Sequence, residues 1–174
     1  SLAGLIAWRA VSPGETIFVP AGTIHAIGAG LVIAEIQQRS DATFRMFDFG
    51  RARELQIDDD VAVADPGLAG HYDAPSKLSD TRTLLLSNPH FTFEKIDLAP
   101  NSAWRLKAEQ ETWMLVIKGS AHVDRLELAT GEAIFALSDR VNIQVASAGL
   151  EALVAHTGGR VVSDLLEPLE EESA

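Results

Sequence analysis

The feature that most constrains this chain is a succession of short apolar runs, each broken by Gly, Pro, Asn or Asp. Runs of roughly four to eight residues between turn formers are the signature of strands joined by turns, as in a β-sandwich or barrel. On this basis strands are expected over 16–20, 31–38, 43–49, 91–98, 111–118, 121–128, 133–137 and 151–156. Helix is the minority. One short helix is expected over 54–64, ELQIDDDVAVA, where Leu55, Ile57, Val61 and Ala62 make an apolar side and the acidic residues favour the helix start. The class implied is all-β.

The stretch DPGLAGHYDAPSKLSDTR, residues 65–82, is rich in Pro, Gly, Ser and Asp and reads as a connection between two β units. The expected organisation is a first unit over 1–65, a linker over 66–88, a second unit over 89–168 and an acidic tail over 169–174 that frays. Fourteen Lys and Arg against 25 Asp and Glu leave a net charge of −11, which speaks against nucleic-acid and membrane-surface partners. With no cysteine there is neither a disulfide framework nor thiol chemistry, which suits a reducing, cytoplasmic setting. No run approaches the roughly 18 apolar residues that span a bilayer, and the opening SLAGLIAWRA lacks the basic flank of a targeting signal. Starting at Ser1 and entering an apolar pattern at once, the chain reads as a fragment of a longer protein.

In GETIFVPAGTIH, residues 14–25, a turn glycine admits an apolar run, and Pro20 ends regular ladder pairing because it has no N–H. Gly22 then permits a tight reversal that delivers His25 at a controlled position. Gly14, Pro20, Gly22 and His25 fit G-x5-P-x-G-x2-H, which resembles the second sequence motif of the cupin superfamily. Gly131, Leu137, Asp139 and Asn142 fall on the same spacing in the second half, with the Pro, Gly and His all replaced.

The residues that follow extend the likeness. VPAGTIHAIG together with the series EIQQ, SD, TFR and FDFGR resembles class I mannose-6-phosphate isomerase, bacterial type, over residues 13–58. That resemblance implies a zinc-dependent cupin enzyme of jelly-roll type: here, part of a first, catalytic barrel followed by a second, degenerate barrel. It implies that His25 is a zinc ligand, that Arg45 serves catalysis and substrate binding, and that Glu35 and Asp41 line or support the sugar site. The family's other ligands, a Gln-x-His pair and a glutamate, lie upstream of the Pro-Ala-Gly motif, and these 174 residues contain no such segment. A catalytic zinc needs about three protein ligands. The isolated chain is therefore expected to hold zinc weakly or not at all, and to need an N-terminal segment of the same protein as its partner.

Considered on their own chemistry, the same residues leave alternatives open. Alternation in TFRMFDFGR puts Arg45 among apolar neighbours, so it either pairs with Asp41 or Glu35 or faces an anion. Glu35 shares the face of Leu31, Ile33 and Gln37, where a carboxylate can move protons or orient an arginine or a sugar hydroxyl. His71, His90, His122 and His156 lack ligand spacing and read as surface or turn residues. In the second half the first cupin motif falls near Arg105, Lys107 and Thr112, none of them a usual zinc ligand, so that barrel reads as structural. The expected reaction of the intact protein is interconversion of mannose 6-phosphate and fructose 6-phosphate. The competing readings are a non-catalytic sugar-binding remnant and a metal-dependent cupin of other chemistry.

Overall fold

A computed structural model of the chain describes residues 7–38, 62, 64–65 and 75–169. Two compact units divide it: Ser1–Ile27 with Phe44–His71, and Gly28–Thr43 with Tyr72–Ala174. Among the described residues every strand lies in the second unit. In chain order these are β1 (Ser76–Lys77), β2 (Arg82–Ser87), β3 (Phe91–Leu98), β4 (Ala103–Ala108), β5 (Thr112–Val123), β6 (Leu126–Ala129), β7 (Ala133–Ala136), β8 (Asp139–Thr157) and β9 (Leu166–Pro168).

All pairings are antiparallel, and two long strands organise them. The first part of β8 pairs with β4, from Asp139 to Gln144, and the last part with β3, from Leu150 to Thr157. Strand β5 follows β8 through both parts, with register shifts between Val116 and Lys118 and between Gly119 and Ala121. The shifts coincide with a corner. Gly119 has φ +82°, and a Cβ there would lie 1.9 Å from the carbonyl oxygen of Gly149, itself at φ +80°. Only glycines allow two backbones this close in this conformation. The corner turns one hydrogen-bonded sheet into two lobes, β1-β2-β3-β8-β5-β7 and β9-β4-β8-β5-β6, joined by the strands they share.

The lobes close over one core. Burial alternates along β3, so that Thr92, Glu94, Ile96 and Leu98 point inward. Ile96, Met114, Val116 and Val154 from one lobe meet Leu106, Leu128, Val141 and Ile143 from the other in a single buried cluster. Each such side chain stabilises the fold by about 1.5–3 kcal/mol relative to exposure.

The all-β class is thus the fold of this unit, and β3 has the expected limits. The strands expected over 111–118 and 151–156 are parts of longer ones, because the glycines read as terminators are corners. The run 121–128 is divided by a turn at Asp124, which sits at φ 50°. Strands β2, β4 and β9 and the first part of β8 were not expected. Residues 76–87, inside the stretch assigned to the linker, pair into the sheet, with Leu85 and Leu86 buried. Residues 16–20 and 31–38 form no ladder, and Val32 is 102% exposed. The strand expected over 43–49 and nearly all of the helix expected over 54–64 lie outside the described residues. Among the described residues no helix is long and apolar enough to cross a membrane.

Candidate functional site

The segment around His25 is built from two tight turns. Glu15 N donates to Ser12 O at 3.1 Å with Gly14 at φ +81°, and Thr23 N donates to Pro20 O at 3.1 Å with Gly22 at φ +83°. In both, the glycine is the third residue of the turn, where a type II geometry demands positive φ. The second turn is tied by Asp65 N, which donates to Gly22 O at 2.9 Å. Gly22 therefore makes the reversal that its place in the motif suggests.

That turn sets the state of His25. Nδ1 of the ring lies 2.9 Å from Thr23 O. A carbonyl oxygen only accepts, so Nδ1 carries a proton, and in the neutral ring the lone pair is on Nε2. The ring is exposed, leaving Nε2 open to a ligand. Fixing one ring nitrogen on a backbone carbonyl so that the other can coordinate is the usual arrangement of a metal-binding histidine.

Of the other site residues singled out, Glu35 alone lies among the described residues. Glu35 is exposed, and Leu31 and Ile33, expected to bury it, are about half exposed themselves. Asp41 and Arg45 lie outside the described residues. Among the described residues no three His, Asp or Glu side chains are grouped so as to hold a metal ion.

In the second unit the degenerate motif positions do meet, but away from the core. Arg105 on β4 stands opposite Asn142 on β8, and its Nε donates to Asn142 Oδ1 at 3.1 Å. Their neighbours Leu106, Val141 and Ile143 fill the core, so the alternation turns Arg105 and Asn142 to the outer face. Lys107 shares that face and pairs with Asp164 at 3.3 Å and with Glu167. Both carboxylates, through hydrogen bonds and charge, hold its ammonium above the usual range, with the Glu167 hydrogen bond the largest influence. Thr112 is buried and donates its hydroxyl to Gln110 O at 2.8 Å. None of these atoms is left to coordinate zinc.

The polar cluster that the sequence reading missed is internal. Arg82 donates to both oxygens of Glu94, from Nε at 2.8 Å and Nη2 at 2.9 Å, and also to Val162 O at 2.7 Å and Ser163 O at 2.9 Å. His156, read as a surface or turn residue, is fully buried; β8 carries it inward in step with Ala152 and Val154. Its Nδ1 lies 2.7 Å from the Gln110 amide nitrogen and 3.2 Å from Thr157 O, the first a donor to an unprotonated Nδ1 and the second an acceptor from a protonated one. Nε2 faces Glu94 Oε1 at 3.9 Å with no hydrogen-bond partner. The available signal was phase: Glu94 falls in step with Ile96 and Leu98, and His156 with Val154. This cluster ties β2, β3 and the 162–163 loop together; Glu94 and His156 are fully buried, while Arg82 also borders a cavity lined by Leu78, Ser79, Val161, Ser163 and Leu166.

No family model matches the chain. Among curated proteins, the mannose-6-phosphate isomerase of Streptococcus mutans is 41% identical over 95 residues, covering 49% of this chain and 29% of that protein. The mannose-6-phosphate isomerase ManA of Bacillus subtilis is 41% identical over 115 residues, covering 61% and 36%. The putative mannose-6-phosphate isomerase YvyI of the same organism is 31% identical over 128 residues, covering 67% and 40%. The chain spans about a third of the length of these relatives. Among solved structures, the oxalate decarboxylase of Lactobacillus farciminis aligns at TM-score 0.46 and 16% identity, over 60% of this chain and 38% of that one. An RmlC-like cupin of Shewanella frigidimarina aligns at TM-score 0.42 and 14% identity, over 52% and 93%.

Proposed function

We propose that this chain, homologous to bacterial proteins named mannose-6-phosphate isomerase, is the part of such an isomerase that carries one zinc ligand, His25, and the charge-stabilising arginine, Arg45. The remaining ligands come from a segment of the same protein outside these 174 residues. The observation that carries this reading is the posture of His25, held at Nδ1 by Thr23 O with Nε2 pointing away from that bond, in a chain 41% identical to named isomerases over 95 and 115 residues. An acidic, cysteine-free chain suits a soluble protein of the cytoplasm.

The described residues do not by themselves fit a zinc centre. A catalytic zinc is held by about three protein ligands, and one imidazole is present where those ligands belong. No chemical step is therefore assigned to the metal. The reaction is aldose–ketose interconversion of mannose 6-phosphate and fructose 6-phosphate, a proton moving between adjacent carbons through an enediol. Arg45 stabilises the negative charge that develops on oxygen or binds the phosphate. Glu35 moves a proton or orients Arg45 or a sugar hydroxyl, and Asp41 lines or supports the sugar site. A second reading, a non-catalytic sugar-binding remnant, draws on the incomplete ligand set.

The test is made in a protein that contains the full ligand set. His25→Ala is expected to release the metal and abolish turnover. Arg45→Ala is expected to keep the metal and lower turnover by roughly 100-fold or more, the range for removing one charge-stabilising donor. Parent-like activity in both variants contradicts the assignment, and sugar phosphate binding without turnover in the parent favours the second reading.

A further inference from the structure

The peptide unit between Gly22 and Thr23 is held at both of its edges. Its N–H, that of Thr23, donates to Pro20 O at 3.1 Å within the turn, and its C=O, that of Gly22, accepts from Asp65 N at 2.9 Å. A peptide unit is planar, so bonds on its two opposite edges fix an orientation that the turn bond alone leaves free to tilt. The outer donor is itself constrained, because Asp65 precedes Pro66 and the residue before a proline is confined to extended backbone. Thr23 carries the orientation onward. With its N–H fixed, the direction of its own C=O follows from the two torsions of that one residue, and this oxygen lies 2.9 Å from His25 Nδ1. Gly22 and Thr23 are half-buried but the His25 ring is exposed, so the hydrogen bond rather than packing decides which ring nitrogen carries the proton.

We propose that Asp65 is a positioning residue for His25. By closing on Gly22 O, its main-chain N–H keeps the Thr23 carbonyl aimed at Nδ1, and so keeps the lone pair of the neutral ring on Nε2. The role belongs to the main chain and not to the carboxylate. It rests on the reading of His25 as a ligand residue, since a ligand is the group for which the free nitrogen matters. Asp65 also opens the stretch DPGLAG that leads away from this unit, so the first residue of that connection supports the site and is not slack chain.

The ring-nitrogen NMR shifts of the isotope-labelled 174-residue chain report the tautomer directly, in alkaline solution where an imidazole carries a single proton. In the parent the proton is expected mainly on Nδ1 of His25. Asp65→Pro removes the N–H and should lower the ratio of the Nδ1–H to the Nε2–H tautomer by roughly 2- to 12-fold, the equivalent of the about 0.5–1.5 kcal/mol that one hydrogen bond is worth. Asp65→Ala keeps the N–H and should leave the ratio as in the parent. A scalar coupling across the hydrogen bond should link Asp65 N to the Gly22 carbonyl carbon in the parent, a measurement that holds even where Asp65→Pro fails to fold. An unchanged ratio in folded Asp65→Pro, an equal fall in Asp65→Ala, or no coupling between Asp65 and Gly22 overturns the proposal. Failure of the ligand reading shows elsewhere, as metal retained by His25→Ala in a protein with the full ligand set, and leaves the tautomer ratios as they are.

Discussion

Replacing Arg82 by methionine removes the cation of a fully buried pair while roughly conserving its volume. Glu94, completely inaccessible, then loses both of its charged hydrogen bonds, and Val162 O and Ser163 O lose theirs. His156 cannot replace the cation through a hydrogen bond, since its Nε2 is 3.9 Å from Glu94 Oε1. Breaking one partner out of a buried pair costs about 3–5 kcal/mol, a large share of the roughly 5–15 kcal/mol that holds a domain folded. With a urea dependence of about 1.5 kcal/mol per molar, the unfolding midpoint of Arg82→Met should fall by roughly 2–3 M. Glu94→Leu alone should cost a similar amount, because it strands the guanidinium instead. The double variant should recover at least half of the summed loss, since it leaves neither charge buried alone. Urea unfolding of the four proteins, followed by circular dichroism, gives the cycle. A loss under about 1 kcal/mol in either single variant, or simple additivity in the double, refutes the reasoning.

At the corner, Gly119→Ala places a Cβ 1.9 Å from Gly149 O at φ +82°, whereas Gly131→Ala at φ +92° meets nothing within 4 Å. Gly131→Ala should therefore cost only the backbone strain of about 1–2 kcal/mol and Gly119→Ala at least twice that, read as urea midpoints. Equal losses would mean that the close approach of the two strands is not what requires glycine. On the surface, hydrogen bonds from Lys95 and then Lys118 hold the Glu151 carboxyl below its ordinary value of 4.5. A lowered folded-state pKa means stability that is present above pH 4.5 and lost as pH falls through the folded value. Parent and Glu151→Gln should accordingly differ in stability near neutral pH and converge as pH falls below the folded-state value; a gap that widens in acid contradicts the pairing.

Legibility followed periodicity. Phe91–Leu98 contains no Gly or Pro, and both of its limits could be read from the sequence. Strand β8 could not, because its first part, DRVNIQVASAGL, mixes polar residues with a glycine that bends the strand. Strand β4 was hidden by Arg105 and Lys107, outward charges that mask the inward Leu106 and Ala108. The turn that orients His25 was legible because Pro20 has a fixed φ and Gly22 takes the positive φ that other residues avoid. The Arg82–Glu94–His156 cluster was not, since β8, distant in sequence, brings His156 to the paired strands β2 and β3, and composition favours reading isolated charges as solvated.

Bound zinc and isomerase turnover, measured together on the 174-residue chain, test most directly the claim that His25 is one ligand of a set completed from outside these residues. The expected result is less than one zinc per chain after dialysis and no conversion of mannose 6-phosphate. One tightly bound zinc per chain with turnover would contradict it.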